Sequence, residues 1–180
     1  MNDLDAAHEL AVRRRMLDWA DVDLIQDTVR RLPANKTVKV VDLGAGSGTT
    51  SLAVLCTRSK RIEVLSVDIA QDMLDWAEEV VKDSGYRKSW QPLLEDSVRA
   101  AELVEEETVD FLMVDTVHEY EQASEELRAW LPKVSKGRYV WVHDYLGIYP
   151  GIAKAVTEKV LDGLLEQMEI RGLGWLGRKL

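Results

Sequence analysis

Apolar residues fall along this chain in two alternating rhythms. Short β-branched runs give way to longer stretches in which apolar positions recur every three or four residues. Residues 38–43 form the first such run and stop at a glycine cluster, and residues 62–67 form a second that ends at Asp68. The clearest run spans 109–114 and ends at Asp115, and another spans 138–142 and ends at His143-Asp144. A weaker strand covers 90–94. Between them the spacing predicts helices over 49–57, burying Leu52, Leu55 and Cys56, and over 70–82, burying Met73, Leu74, Ala77, Val80 and Val81. A helix is also predicted over 98–104. Tyr120, Ala123, Leu127, Trp130 and Leu131 trace one helical face that stops near Pro132. Pro150 can open a helix carrying Ile152, Val156, Val160 and Leu164. The stretch 167–180 reads as a terminal hairpin turning at Gly172 and Gly174.

Strands separated by helices pair in parallel through right-handed crossovers. The expected fold class is therefore α/β, doubly wound around a mostly parallel sheet and preceded by N-terminal helices. Open sheets of this kind bind ligands outside the carboxyl ends of their strands. Four strands of this chain end there in polar signatures: the glycine cluster, Asp68, Asp115 and His143-Asp144.

The length of 180 residues suits one domain, with 1–34 as a helical cap and 35–180 as the core. No repeat or low-complexity linker divides it. Hydrophobic residues at 46% against 31% charged predict a soluble globular chain. Cys56 is the lone cysteine, so no intrachain disulfide forms, and a reducing cytoplasm is the expected setting. The acidic start resembles no export signal, and no apolar stretch is long enough to cross a membrane. A net charge of −9 repels phosphate-rich partners and argues against nucleic acid. Arg13, Arg14 and Arg15 are either a solvated helix face or a contact for an acidic acceptor.

Asp42-Leu43-Gly44-Ala45-Gly46-Ser47-Gly48 joins a strand to a helix. Glycines there permit a sharp turn and close approach of a ligand to the backbone. A free carboxylate can also meet the amides that open the next helix. The dinucleotide pattern G-x-G-x-x-G fails, because Thr49 stands where its third glycine belongs. Asp68, at the tip of the next strand, can accept hydrogen bonds from both ribose hydroxyls of an adenosine or can cap the helix that follows.

Val40 to Gly48 resembles the first motif of class I S-adenosylmethionine-dependent methyltransferases, and Ser66 to Leu74 resembles the second. The likeness implies a seven-stranded sheet whose last strand is antiparallel. It implies a cofactor site built from Asp42, Gly44, Ala45, Gly46, Ser47, Gly48, Asp68 and Ile69, with Glu95-Asp96-Ser97 near the adenine and Asp115 at the next strand tip. In that site Asp68 binds the ribose and Ile69 packs on adenine.

The second half is similar to a subgroup of small-molecule O-methyltransferases whose fourth strand ends Asp-Gly-x-His-x-Tyr and whose fifth ends His-Asp. Asp115-Thr116-Val117-His118-Glu119-Tyr120 and His143-Asp144 follow it, with Thr116 for the glycine and Arg138 for a second glycine. Two activations of an acceptor hydroxyl stay open. Asp115 and Asp144 can hold Mg2+ through oxygen ligands, although Tyr145 replaces the asparagine common in metal-dependent relatives. Alternatively His118 or His143 is a general base oriented by Asp115 or Asp144. Trp19, Tyr145 and Tyr149 are candidate walls for an organic acceptor, Trp141 is read as core, and His8 as surface.

The resulting expectation is methyl transfer from S-adenosylmethionine to a small-molecule hydroxyl, with neither nucleic acid nor membrane as partner. A homodimer can complete a shallow acceptor pocket. The alternatives are a non-enzymatic, cofactor-binding partner subunit of the same fold and a nicotinamide-dependent oxidoreductase.

Overall fold

Strand β1 (Val38–Leu43) sits inside the sheet, with β2 (Ile62–Asp68) on one side and β4 (Val109–Val114) on the other, both parallel to it. The computed structural model describes residues 17–57 and 61–180. Its seven strands run in the order β3-β2-β1-β4-β5-β7-β6, where β3 is Trp90–Leu94, β5 is Val134–Val142, β6 is Leu165–Arg171 and β7 is Gly174–Lys179. Only β7 runs against its neighbours, pairing antiparallel with both β5 and β6. The expected doubly wound, seven-stranded sheet is present.

Central parallel strands covered on both faces are apolar nearly throughout. Every residue of β4 is buried, and its alternation divides the core. Phe111 and Met113 point to one face, where they meet α1 (Trp19–Arg31), α2 (Thr49–Leu55) and α3 (Gln71–Asp83). Leu112 and Val114 point to the other, where α4 (Tyr120–Trp130) and α5 (Pro150–Leu161) supply Leu127, Trp130, Ile152 and Val156. Trp141, read as core, is fully buried.

Three expectations change, the first being that Leu164, expected on the helix that Pro150 opens, lies exposed beyond its end at Leu161. In place of a helix over 98–104 there is a 3-10 turn, Arg99–Leu103. The Asp96 carboxylate accepts the Val98 and Arg99 amides and tightens the chain, and Val104 is already extended. Leu103 is left exposed on that face. Strand β5 begins at Val134 rather than 138, because Val134 pairs with Val109 before a register shift and Gly137 takes a φ of +76°. Arg13 to Arg15 and His8 lie outside the described residues. No described helix is long and apolar enough to cross a membrane.

Candidate active site

The loop after β1 turns on glycines with φ of +84° at Gly44, +47° at Gly46 and +76° at Gly48. Gly44 is forced by more than its dihedral. A Cβ there would stand 1.9 Å from the Asp115 carbonyl oxygen, so loop and β4 tip touch through bare backbone. The Asp68 carboxylate at the end of β2 accepts the Gly46 amide at 3.2 Å and the Ala70 amide at 2.9 Å. It thus ties the loop and the start of α3 to one strand tip.

A cavity of about 460 Å³ opens above these strand ends. Gly44, Ala45, Gly46, Ser47, Asp68 and Ile69 form one wall, Asp96 and Ser97 a second, and Asp115 and His118 a third. Ile69 is 76% exposed, an apolar surface that a flat ring can cover.

Asp42 and Gly48, expected at the cofactor, do not face the cavity. Asp42 is fully buried beneath the loop and accepts the hydroxyls of Thr50 at 2.9 Å and Ser51 at 2.6 Å. Burial pushes its carboxyl up to about 7 against those two bonds. Gly48 instead caps α2 and packs on Ala77 of α3, where a Cβ would be 3.0 Å from the Ala77 Cα. Both hold the loop from below.

Glu126, absent from the expected site, braces the second wall. It is fully buried on α4 and accepts hydrogen bonds from Ser97 at 2.5 Å, Thr116 at 2.8 Å and Gln122 at 2.9 Å. Burial raises its pKa against those bonds. Thr116, the departure from the glycine of the related pattern, therefore donates to a buried carboxylate that a glycine, with no side chain, could not reach. The sequence signal was an acid inside the Ala123, Leu127, Trp130 stripe.

At the third wall the side chains converge. His143 Nδ1 lies 3.2 Å from both Asp115 Oδ1 and Asp144 Oδ2, and His118 Nε2 lies 2.6 Å from Asp144 Oδ2. Asp144 has a φ of +52°, a strained conformation for a non-glycine residue that persists where its surroundings impose it. Tyr149 stacks on His118 with ring centroids 4.4 Å apart. Tyr145 instead packs against Trp175 in the second core cluster and does not wall the cavity.

His143 does not suit a general base. It is buried behind the wall, and its Nε2 faces Asp21 Oδ2 at 3.5 Å. Burial alone would lower its pKa, but hydrogen bonds to Asp115 and Asp21 and the Asp115 and Asp144 charges push it up to about 10. Enclosed there with both ring nitrogens turned to carboxylates, the imidazole does not reach an acceptor hydroxyl in the cavity. Asp21 itself is fully buried on α1, its pKa raised by burial, and accepts the Gly174 amide at 2.8 Å. Sequence reasoning missed Asp21, although an acid one turn before Leu24, Ile25 and Thr28 on a buried stripe needs a partner.

A family model described as a methyltransferase domain matches residues 41–145, which span the glycine loop and all three cavity walls. The chain belongs to this methyltransferase family. Its fold is that of a class I S-adenosylmethionine-dependent methyltransferase. A Corynebacterium glutamicum protein superposes with a TM-score of 0.80 at 12% identity, over 98% of this chain and 89% of that one. The Bacillus cereus O-methyltransferase, solved in complex with SAH, gives 0.77 at 12% identity over 100% and 91%. A Clostridium thermocellum structure described provisionally as an rRNA-methylase gives 0.66 at 15% identity over 89% and 95%. Comparison with curated proteins returned no match. Membership in this family replaces the nicotinamide alternative, as the failed third glycine at Thr49 anticipates.

Proposed function

We propose that this methyltransferase, as a single domain, transfers the methyl group of S-adenosylmethionine to a hydroxyl oxygen of a small organic acceptor. One observation carries the reading: the glycine loop with Asp68 and the Asp115–His118 wall line the same cavity. Gly44 to Ser47 would take the amino-acid end of the cofactor against backbone amides, and Asp68 the ribose hydroxyls. Ile69 would pack on the adenine beside Asp96 and Ser97. The acceptor then lies between the sulfonium and Asp115 with His118.

Attack of the acceptor oxygen on the methyl carbon breaks the carbon–sulfur bond and leaves a neutral thioether, and the hydroxyl proton passes to bulk water by way of the Asp115 carboxylate that lines the cavity. The sulfonium is already electrophilic, so the protein's main contribution is alignment, which removes on the order of 7–11 kcal/mol of barrier. The oxyanion that develops needs positive charge beside it. Among the described residues, no lysine or arginine lines the cavity. Asp115 and Asp144 would hold a divalent cation, since they stand at neighbouring strand tips with donor atoms within 4.8 Å of one another. Such a cation supplies Lewis acidity, lowering the pKa of the bound hydroxyl.

The acidic chain and a cavity without basic lining favour a small acceptor over nucleic acid. The lone thiol, Cys56, buried and unpaired, favours a cytoplasmic setting. Calorimetric titration with S-adenosylmethionine, followed by a thioether-release assay over a panel of catechols, phenols and sugars, tests the reading. Cofactor binding with no acceptor turned over would favour the non-catalytic partner subunit instead.

A further inference from the structure

We infer that the third wall is a mixed imidazole–carboxylate centre for a borderline first-row divalent ion of the cobalt and zinc type, rather than a magnesium site. Its use in catalysis rests on the methyl-transfer reading above, but its occupancy does not.

Asp115, His118, His143 and Asp144 each offer one donor atom, and these atoms all lie within 4.8 Å of one another. Donors of one ion with bonds of about 2.0–2.2 Å are separated by at most roughly 4.4 Å, so the cluster is within a small contraction of coordination. The four come from the tips of β4 and β5 and the loop between β4 and α4, which the sheet order sets side by side.

A second observation is independent of the acidic residues in the cluster. His143 is 92% buried and turns Nδ1 toward Asp115 and Asp144, while Nε2 faces the carboxylate of Asp21 from behind. Neither Asp21 Oδ2 nor His143 Nε2 has any other hydrogen-bond partner. A ligating histidine characteristically has its far nitrogen oriented by a carboxylate in this way, which sets the tautomer and the ring direction. Asp21 is held in turn by the Gly174 amide, so α1 and the β6–β7 hairpin both position a ring at the centre of the cluster.

Charge favours a cation. Three carboxylates, Asp21, Asp115 and Asp144, face two imidazoles, and no lysine or arginine among the described residues lines the cavity beside them. Donor chemistry then selects the ion. Magnesium takes oxygen ligands and water, whereas imidazole nitrogens favour zinc, cobalt, nickel and iron. Two nitrogens among four donors exceed what a magnesium site uses. Asp115 and His118 line the cavity, so an ion held here is reached from the acceptor side.

The test is metal binding to chelator-treated, full-length protein without cofactor. Cobalt(II) is titrated and followed by its d–d absorption, and zinc(II) and magnesium(II) are titrated by calorimetry. We expect one equivalent of cobalt or zinc, bound at least about 100-fold more tightly than magnesium. His118→Ala, at a partly exposed position whose loss the fold tolerates, should weaken cobalt binding at least tenfold and shift its spectrum. Asp21→Asn should weaken it about tenfold. Circular dichroism and thermal melting confirm that each variant is folded. Magnesium binding as tight as cobalt, no stoichiometric cobalt binding, or a His118→Ala titration identical to wild type would each overturn the inference. S-adenosylmethionine titrated into the same metal-free protein reports separately on the methyl-transfer reading.

Discussion

The amide of Gly46 donates to the carboxylate of Asp68 across 3.2 Å, so the glycine loop and the β2 tip are bonded to each other. The same carboxylate also receives the Ala70 amide at 2.9 Å. Two backbone amides from different segments thus fix the direction of this carboxylate.

Removing that carboxylate should cost both cofactor contact and loop order. Asp68→Ala is expected to lower S-adenosylmethionine affinity by about 10–200-fold, the equivalent of charge-assisted hydrogen bonds worth roughly 1.5–3 kcal/mol. Calorimetric titration measures it. Unchanged affinity would remove Asp68 from the site.

Gly44 and Gly137 separate two reasons for a glycine. Both have strongly positive φ, +84° and +76°, but only Gly44 has a neighbour in the way of a Cβ. Gly137→Ala should cost about 1–2 kcal/mol through its dihedral alone. Gly44→Ala should cost ~3 kcal/mol or more, because loop and β4 tip must part. Urea denaturation of the two variants provides the comparison, and equal losses would contradict the contact.

Asp42 should give the protein a pH-dependent stability. Burial raises its carboxyl from the usual 3.8 to about 7 in the folded chain, so the folded state holds this proton more tightly than the unfolded state. The contribution is fully present below pH 3.8 and is lost as pH rises through the window to about 7. The loss is on the order of 4 kcal/mol at most. Asp42→Asn should abolish it, so the variant's Tm relative to wild type rises from pH 4 to pH 8. Its cofactor affinity should stay within about threefold, since the side chain faces away from the cavity. Parallel Tm profiles would refute the assignment.

Glu126 should link stability to the second wall of the cavity. Glu126→Ala strands the donors of Ser97, Thr116 and Gln122 and is expected to cost ~2–4 kcal/mol, with weaker cofactor binding because Ser97 and Thr116 line the cavity. Glu126→Gln keeps an acceptor oxygen and should lose less than half as much. Denaturant midpoints and calorimetry on both variants check this.

The elements were legible because burial imposes its period on sequence. β-branched runs mark the four central strands β1, β2, β4 and β5, helical stripes mark every full α-helix after residue 37, and glycines mark the strand-to-helix turn and the terminal hairpin. The failure at 98–104 has a local cause: Asp96 captures two amides that a longer helix would use. Family membership was legible for the same reason as the loop, since backbone that approaches another strand to van der Waals distance admits glycine alone.

Direction and partnership were not legible. A strand buried on both faces is apolar throughout, so nothing in 38–43 says that Asp42 points under the loop rather than into the cavity. The partners of His143 arrive from α1, β4 and its own strand tip, positions far apart along the chain that only the sheet order brings together. The chain's own pattern determined which elements form and that their polar tips share one edge, because periodicity is a local property. Tertiary packing decided which of those tips face ligand, which support it from behind, and which imidazole is enclosed by carboxylates, because burial and charge at a point depend on every element that meets there.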